Sequence, residues 1–134
     1  MQAMSKKIVV LGTGGTIAGR AADAMDTVGY VAGQVGVADL IAAVPGLAQW
    51  PLIIEQIAQL DSKDMDLSVW QNLVARCAHW LQQDDVQGVV ITHGTDTLEE
   101  TAFFLLQVLA PTKPVVLTCA MRPASAPAPD GPQN

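Results

Sequence analysis

Three stretches of this chain share one grammar: a short, uninterrupted β-branched run that stops in a knot of glycines and polar residues. KIVVL (Lys7 to Leu11) runs into GTGGT, GVVI (Gly88 to Ile91) into THGTD, and PVVL (Pro114 to Leu117) into TCAMR. Runs with no polar alternation are what strands need when both faces of a parallel sheet are covered. A fourth run, Leu52 to Leu60 (LIIEQIAQL), ends in DSKD. Between the runs the period changes to that of a helix. Val37, Leu40, Ile41 and Val44 form a short stripe closed by Pro45-Gly46. Leu67, Trp70, Leu73, Val74, Cys77, Ala78 and Leu81 form a longer one, with Asp64 or Asp66 placed to cap it. Leu98 to Ala110 forms a third, with Glu99 and Glu100 in the first turn, where the helix dipole favours carboxylates. Beyond Ala102 this last helix is apolar all round except at Gln107, which predicts burial on two sides, by its own domain or by another subunit.

The alternation predicts an α/β fold, an open, doubly wound, Rossmann-like and mostly parallel sheet. A length of 134 residues suits one domain, taken here as residues 1–134. Half the residues are hydrophobic and mean hydropathy is +0.31, which excludes disorder. No apolar run approaches the roughly 18 residues of a membrane span. The start, MQAMSKKIVVLG, lacks the apolar segment of a secretory signal. Seven basic residues and a formal charge of -6 leave no footprint for nucleic acid or an anionic membrane. Cys77 and Cys119 lack metal-ligand spacing and read as buried, reduced thiols of a cytoplasmic protein. Arg20 to Gly36 fits neither period and reads as a mobile loop or small hairpin. PASAPAPDGPQN reads as a flexible tail or as a loop short of its next element.

If the strands are parallel, all four knots emerge along one edge of the sheet, where open α/β proteins bind ligands. Nucleotide binding fits poorly. The GxGxxG pattern fails at Ile17, and the GxxxxGK[ST] pattern fails at Arg20 and Ala21. What remains is chemistry by hydroxyl. Thr16 follows two glycines that let the backbone expose it and turn N–H groups towards a developing oxyanion. A threonine hydroxyl attacks only when a partner takes its proton. Thr95-Asp96 arrives from another strand end, where Asp96 is suited to hold an ammonium, to orient a water through Thr95, or both. His93, beside Gly94 in a tight turn, reads as a structural hydrogen bonder and His79 as a helix-surface residue. Met65, Met121 and the three tryptophans read as packing.

At these residues the chain resembles the bacterial-type (type I/II) L-asparaginase family, in its N-terminal part. TGGTIAG (Thr13 to Gly19) resembles the first family signature and GVVITHGTDTLEET (Gly88 to Thr101) the second. YVAGQVGV, LDSKDM and AMRPASAPAPDGPQN resemble further family segments in the same order. The resemblance implies that Thr16 is the nucleophile attacking the side-chain amide of L-asparagine, with Tyr30 closing over the site and activating it. Ser62 would bind the α-carboxylate and Asp96 the α-ammonium. Thr95 and Asp96 would form a second group with a lysine. The backbone of Ala120 would lie near the scissile amide, and Gly15, Lys63 and Gly94 complete the implied substrate contacts. The implied products are aspartate and ammonia, by way of an acyl-enzyme without metal or organic cofactor, in a homo-oligomer (dimer or tetramer).

Lys63 stands where many members carry glutamine or glutamate, which leaves the choice between L-asparagine and L-glutamine open. The family's catalytic lysine and small C-terminal domain lie beyond Asn134, so the resemblance implies an incomplete domain. Two other readings stay in play. One is the ammonia-producing subunit of a tRNA-dependent amidotransferase, which normally carries a further domain in front. The other is a non-catalytic fragment that binds amino acids or associates with itself.

Overall fold

A computed structural model describes residues 6–26 and 28–134. Residues 1–5, part of the opening read above as no secretory signal, and Thr27 of the Arg20 to Gly36 segment lie outside the described residues. The four runs form strands β1 (Lys7–Gly14), β2 (Leu52–Leu60), β3 (Val86–Thr92) and β4 (Val115–Thr118). The helical stripes form α1 (Val37–Ala42), α2 (Leu67–Leu81) and α3 (Leu98–Leu109). The sheet has the order β2-β1-β3-β4 with every pair parallel.

Element edges depart from the sequence reading for local reasons. β1 continues past Leu11 into the glycine knot, and its pairing with β2 shifts register between Gly12 and Gly14. β4 starts after Pro114, because proline has no N–H for the ladder, although its carbonyl still accepts from Val89 N at 3.0 Å. α1 stops at Ala42, and Pro45–Gln49 turns on as a 3₁₀ segment. Of the two candidate caps for α2 it is Asp66 that acts, its side chain accepting from Val69 N at 3.0 Å.

Strand register sorts the side chains. Val9 and Leu11 of β1, Val89 and Ile91 of β3, and Val115 and Leu117 of β4 share one face, and Leu73, Cys77 and Leu105 fill it from α2 and α3. Burial pushes the Cys77 thiol up to about 12, with the nearby Glu55 charge adding to it. Glu55 occupies the same face on β2. Arg76 grips it from α2 with Nε and Nη2 at 2.6 and 3.1 Å, and Trp80 Nε1 donates to it at 2.8 Å. Burial works to raise the Glu55 pKa, but these donors outweigh it and hold the carboxyl below its usual range. The opposite face carries Ile8, Val10 and Val90. Short α1 and the chain end cover it only in part, leaving an apolar groove of about 460 Å³ rimmed by Leu40, Leu47 and Pro132.

One expectation is corrected here and two open readings are narrowed. Met121 and Trp50 are not packing residues: they are 74 % and 56 % exposed, whereas Trp70 stacks on Phe104 and Trp80 lies beneath Arg76. The second side of α3 is uncovered within this chain, since Thr101 and Leu105 are buried while Phe103, Leu106 and Val108 face out. The proline-rich end is folded back rather than a free tail. Pro123 is buried, Ser125 Oγ accepts from Ala21 N at 2.9 Å, and Asp130 accepts from the N–H groups of Met121 and Arg122 at 3.0 and 2.8 Å. The Arg20 to Gly36 segment is pinched at its base by a small antiparallel bridge between Arg20 and Val31. No helix among the described residues is long and apolar enough to cross a membrane.

Candidate active site

From β1 the chain moves outward to β2, then crosses back to β3 and β4 on the other side. The winding therefore reverses between β1 and β3, the place where open α/β sheets hold their ligand crevice. The knots after these strands are GTGGT and THGTD, joined by DSKD from β2.

Glycine is required where the knots meet. Gly14 and Gly15 have φ of 105° and 80°, a region that L side chains rarely adopt. A Cβ on Gly14 would strike the backbone of Leu60, and one on Gly15 the backbone of Gly94. A Cβ on Gly94 would in turn strike Ser62, its Cβ only 2.7 Å away. The turns after β1 and β3 thus stack backbone on backbone, with the Ser62 side chain pressed against Gly94. Gly15 N–H donates to Leu60 O at 2.8 Å, and the buried Thr13 hydroxyl donates to Thr92 O at 2.8 Å.

On this base sit the polar side chains. Thr16, half-buried, places Oγ1 2.9 Å from the hydroxyl of Tyr30, with either oxygen able to donate. The closeness depends on Gly19, whose missing Cβ would lie 2.8 Å from Tyr30 Cδ2. Ser62 is buried and fastened to the third knot: its Oγ accepts from Asp96 N at 3.1 Å, and its carbonyl accepts from Thr97 Oγ1 at 2.8 Å. The Ser62 hydroxyl proton has no acceptor among the described residues and is free to meet an anion. Thr95 and Asp96 are exposed at the crevice mouth. Ala120 is buried against Ile17 and Ala18 at the end of β4.

Lys63 does not join the cluster. Its ammonium pairs with Asp64 at 2.7 Å and Asp61 at 3.4 Å, and its side chain is largely exposed. His93 is fully buried, with Nδ1 2.8 Å from Gly94 O and Nε2 2.8 Å from Thr101 Oγ1, the structural role its place in the turn suggested. Burial pushes its pKa down. Thr13, Thr97 and Thr101 hold the knots together; Thr13 and Thr101 were passed over in the sequence, where a threonine in a strand or helix signals nothing beyond propensity. No group of three or more His, Cys, Asp or Glu side chains converges among the described residues.

A parallel sheet with hydroxyl-bearing turns stacked at its winding reversal, around glycines that admit no side chain, defines an open α/β domain whose polar knots lie where such folds bind ligands. Residues 7–134 match the family described as "Asparaginase, N-terminal", and the chain belongs to that family. It is similar to "L-asparaginase 2" of Bacillus subtilis (strain 168), 47 % identical over 95 % of this chain and 34 % of the relative. It is also similar to "Glutaminase-asparaginase" of Pseudomonas fluorescens biotype A, 44 % identical over 95 % of this chain and 35 % of the relative. A solved structure titled as a probable cytoplasmic L-asparaginase from Campylobacter jejuni superposes with a TM-score of 0.91 at 46 % identity, over 96 % of this chain and 39 % of that one. The chain thus spans about a third of the length of the curated relatives it matches.

Proposed function

We propose that this chain carries the nucleophile half of an L-asparaginase-type amidohydrolase site, with L-asparagine as substrate and L-glutamine as the competing one. The observation that carries the reading is the 2.9 Å contact between Thr16 Oγ1 and the Tyr30 hydroxyl at the carboxyl end of β1. Thr16 is the group that attacks the side-chain amide carbon, its proton drawn off as the C–O bond forms, with Tyr30 oriented to accept or relay it. Ammonia leaves, and water then releases aspartate from the Thr16 ester. Ser62 offers its hydroxyl proton to the α-carboxylate, and Asp96 sits at the mouth to meet the α-ammonium. The backbone turns at Gly15, Gly94 and Ala120 wall the crevice. Thr95 stands beside Asp96 as the second hydroxyl-acid pair. Lys63, engaged by its two aspartates, reaches substrate only if those pairs open. The names of the relatives support both amides as substrates, and the neighbour from Campylobacter supports a cytoplasmic setting and, with it, free thiols. A homo-oligomer, dimer or tetramer, belongs to the same proposal.

Thr16→Ala in the protein at its native length tests the reading. Ammonia release from asparagine should fall by at least about a hundredfold while aspartate still binds, because the attacking atom is gone and the pocket is not. Undiminished turnover would dismiss Thr16 as the nucleophile. Asp96→Ala addresses substrate grip. Asp96 is solvent-exposed here, so its pairing with an ammonium is worth about 0.2–1 kcal/mol until ligand or a covering segment excludes water. The variant should weaken asparagine binding more than binding of an amide lacking the α-amino group. Equal weakening of both removes the ammonium role.

A further inference from the structure

We propose that a buried row of hydrogen bonds, Trp70 to Thr101 to His93 to Gly94, is a positioning device that turns the Thr95 N–H towards the crevice, an inference that rests on the amidohydrolase reading. Trp70 Nε1 lies 2.9 Å from Thr101 Oγ1, Thr101 Oγ1 lies 2.8 Å from His93 Nε2, and His93 Nδ1 lies 2.8 Å from Gly94 O.

With the fully buried ring neutral, chemistry fixes the direction of every bond in this row. A carbonyl only accepts, so His93 Nδ1 carries the proton. An indole N–H only donates, so it takes a lone pair of Thr101 and leaves that hydroxyl's own proton for His93 Nε2. The ring is thereby held as one neutral tautomer, consistent with its full burial. In a trans peptide the C=O and N–H point in opposite directions. With Gly94 O drawn inward to the imidazole, the N–H of Thr95 is directed away from it, and among the described residues that N–H has no acceptor. Gly94 itself lies against Gly15 and Ser62, where an added Cβ would strike the Ser62 side chain. Two helices of the filled face, α2 through Trp70 and α3 through Thr101, thus set the aim of one donor at the crevice. An apolar filling of the same space would pack as well and would leave this peptide unaimed.

The test compares Thr101→Val, nearly isosteric but without the hydroxyl, with Thr101→Ser, which keeps it, in the protein at its native length. Asparagine turnover and the imidazole ¹⁵N spectrum of His93 are both read. Thr101→Val should lower kcat about tenfold or more with KM within about twofold, the mark of an interaction made in the transition state. It should also release the single Nδ1–H tautomer, and Thr101→Ser should restore both. Undiminished kcat in Thr101→Val, an unchanged tautomer, or a loss that serine does not rescue overturns the proposal. Should the valine variant not fold, Thr101→Ala takes its place with the same criteria. If the unaltered protein releases no ammonia from asparagine, the amidohydrolase reading fails by itself. The row is then judged by the His93 tautomer and the Thr95 amide resonance, and their constancy in Thr101→Val overturns it.

Discussion

Val9 and Val10 are consecutive in β1, and their side chains leave opposite faces of the sheet. Val9 enters a core sealed by α2 and α3, where Leu73, Cys77, Val89 and Ile91 leave no exposed surface beyond 1 %. Val10 borders a groove that six-residue α1 and the folded-back chain end only partly roof. The contrast widens at β4, where Val115 packs against the core while Val116, next in sequence, is 51 % exposed. The strands are equally apolar on both sides, so the asymmetry comes from the helices: 15 and 12 residues on one face against six on the other. The filled face is a finished core with a polar row running through it to the crevice. The open face is apolar surface that gains from being covered.

The largest effect should come from hollowing the filled face. Leu73→Ala removes a side chain with no exposed surface and should cost about 2–5 kcal/mol in urea denaturation, whereas Val116→Ala on the open face should cost well under about 1 kcal/mol. Equal costs would mean that the open face at β4 is covered in solution.

Next is the Glu55–Arg76 pair, whose side chains are 28 % and 33 % exposed. Arg76→Met should cost about 1–2 kcal/mol, between the values for surface and buried pairs. Because the folded pKa of Glu55 is held below its reference of 4.5, its stabilisation is fully present above that pH and is lost as pH falls through the lowered value. Arg76→Met should flatten this acid limb of the stability curve, and a limb of unchanged steepness would show that the pair contributes little.

The smallest effect on folding free energy, and the most telling about the open face, concerns association. Purified residues 1–134 should self-associate in a concentration-dependent way, because exposed apolar patches and an open sheet edge favour it. Charge introduced by Val116→Lys should lower the scattering mass with little change in stability. A clean monomer at high concentration would show that the groove is tolerated bare.

The strands and the glycine knots were legible because their causes are local. A continuous β-branched run, a cap aspartate at Asp66 and a stop at Pro45 act over a few residues, and the four runs accordingly became the four strands of the sheet. Less visible were groups whose partners lie far along the chain. Thr101 is a helix residue by its surroundings, and only packing sets it between Trp70 and His93, 31 and 8 residues away. Lys63, placed among substrate contacts by resemblance, is bound to the aspartates on either side of it once the turn is formed. The proline-rich end read equally as a tail or a loop, because nothing local shows that its Ser125 and Asp130 accept from Ala21, Met121 and Arg122.

The sequence by itself determined which segments are strands and helices, where the chain must turn on glycine, and that hydroxyls and a carboxylate gather after the strands. Periodicity and backbone sterics act within a turn or a strand, so they can be read there. The tertiary structure decided the strand order β2-β1-β3-β4, which puts the reversal of winding between β1 and β3. It also decided the meeting of Thr16 with Tyr30, the hydrogen-bond partners of His93, and which sheet face went uncovered. These depend on which distant surfaces pack together. Apolar burial is non-directional, so an equally hydrophobic face carries no mark of the partner that will cover it.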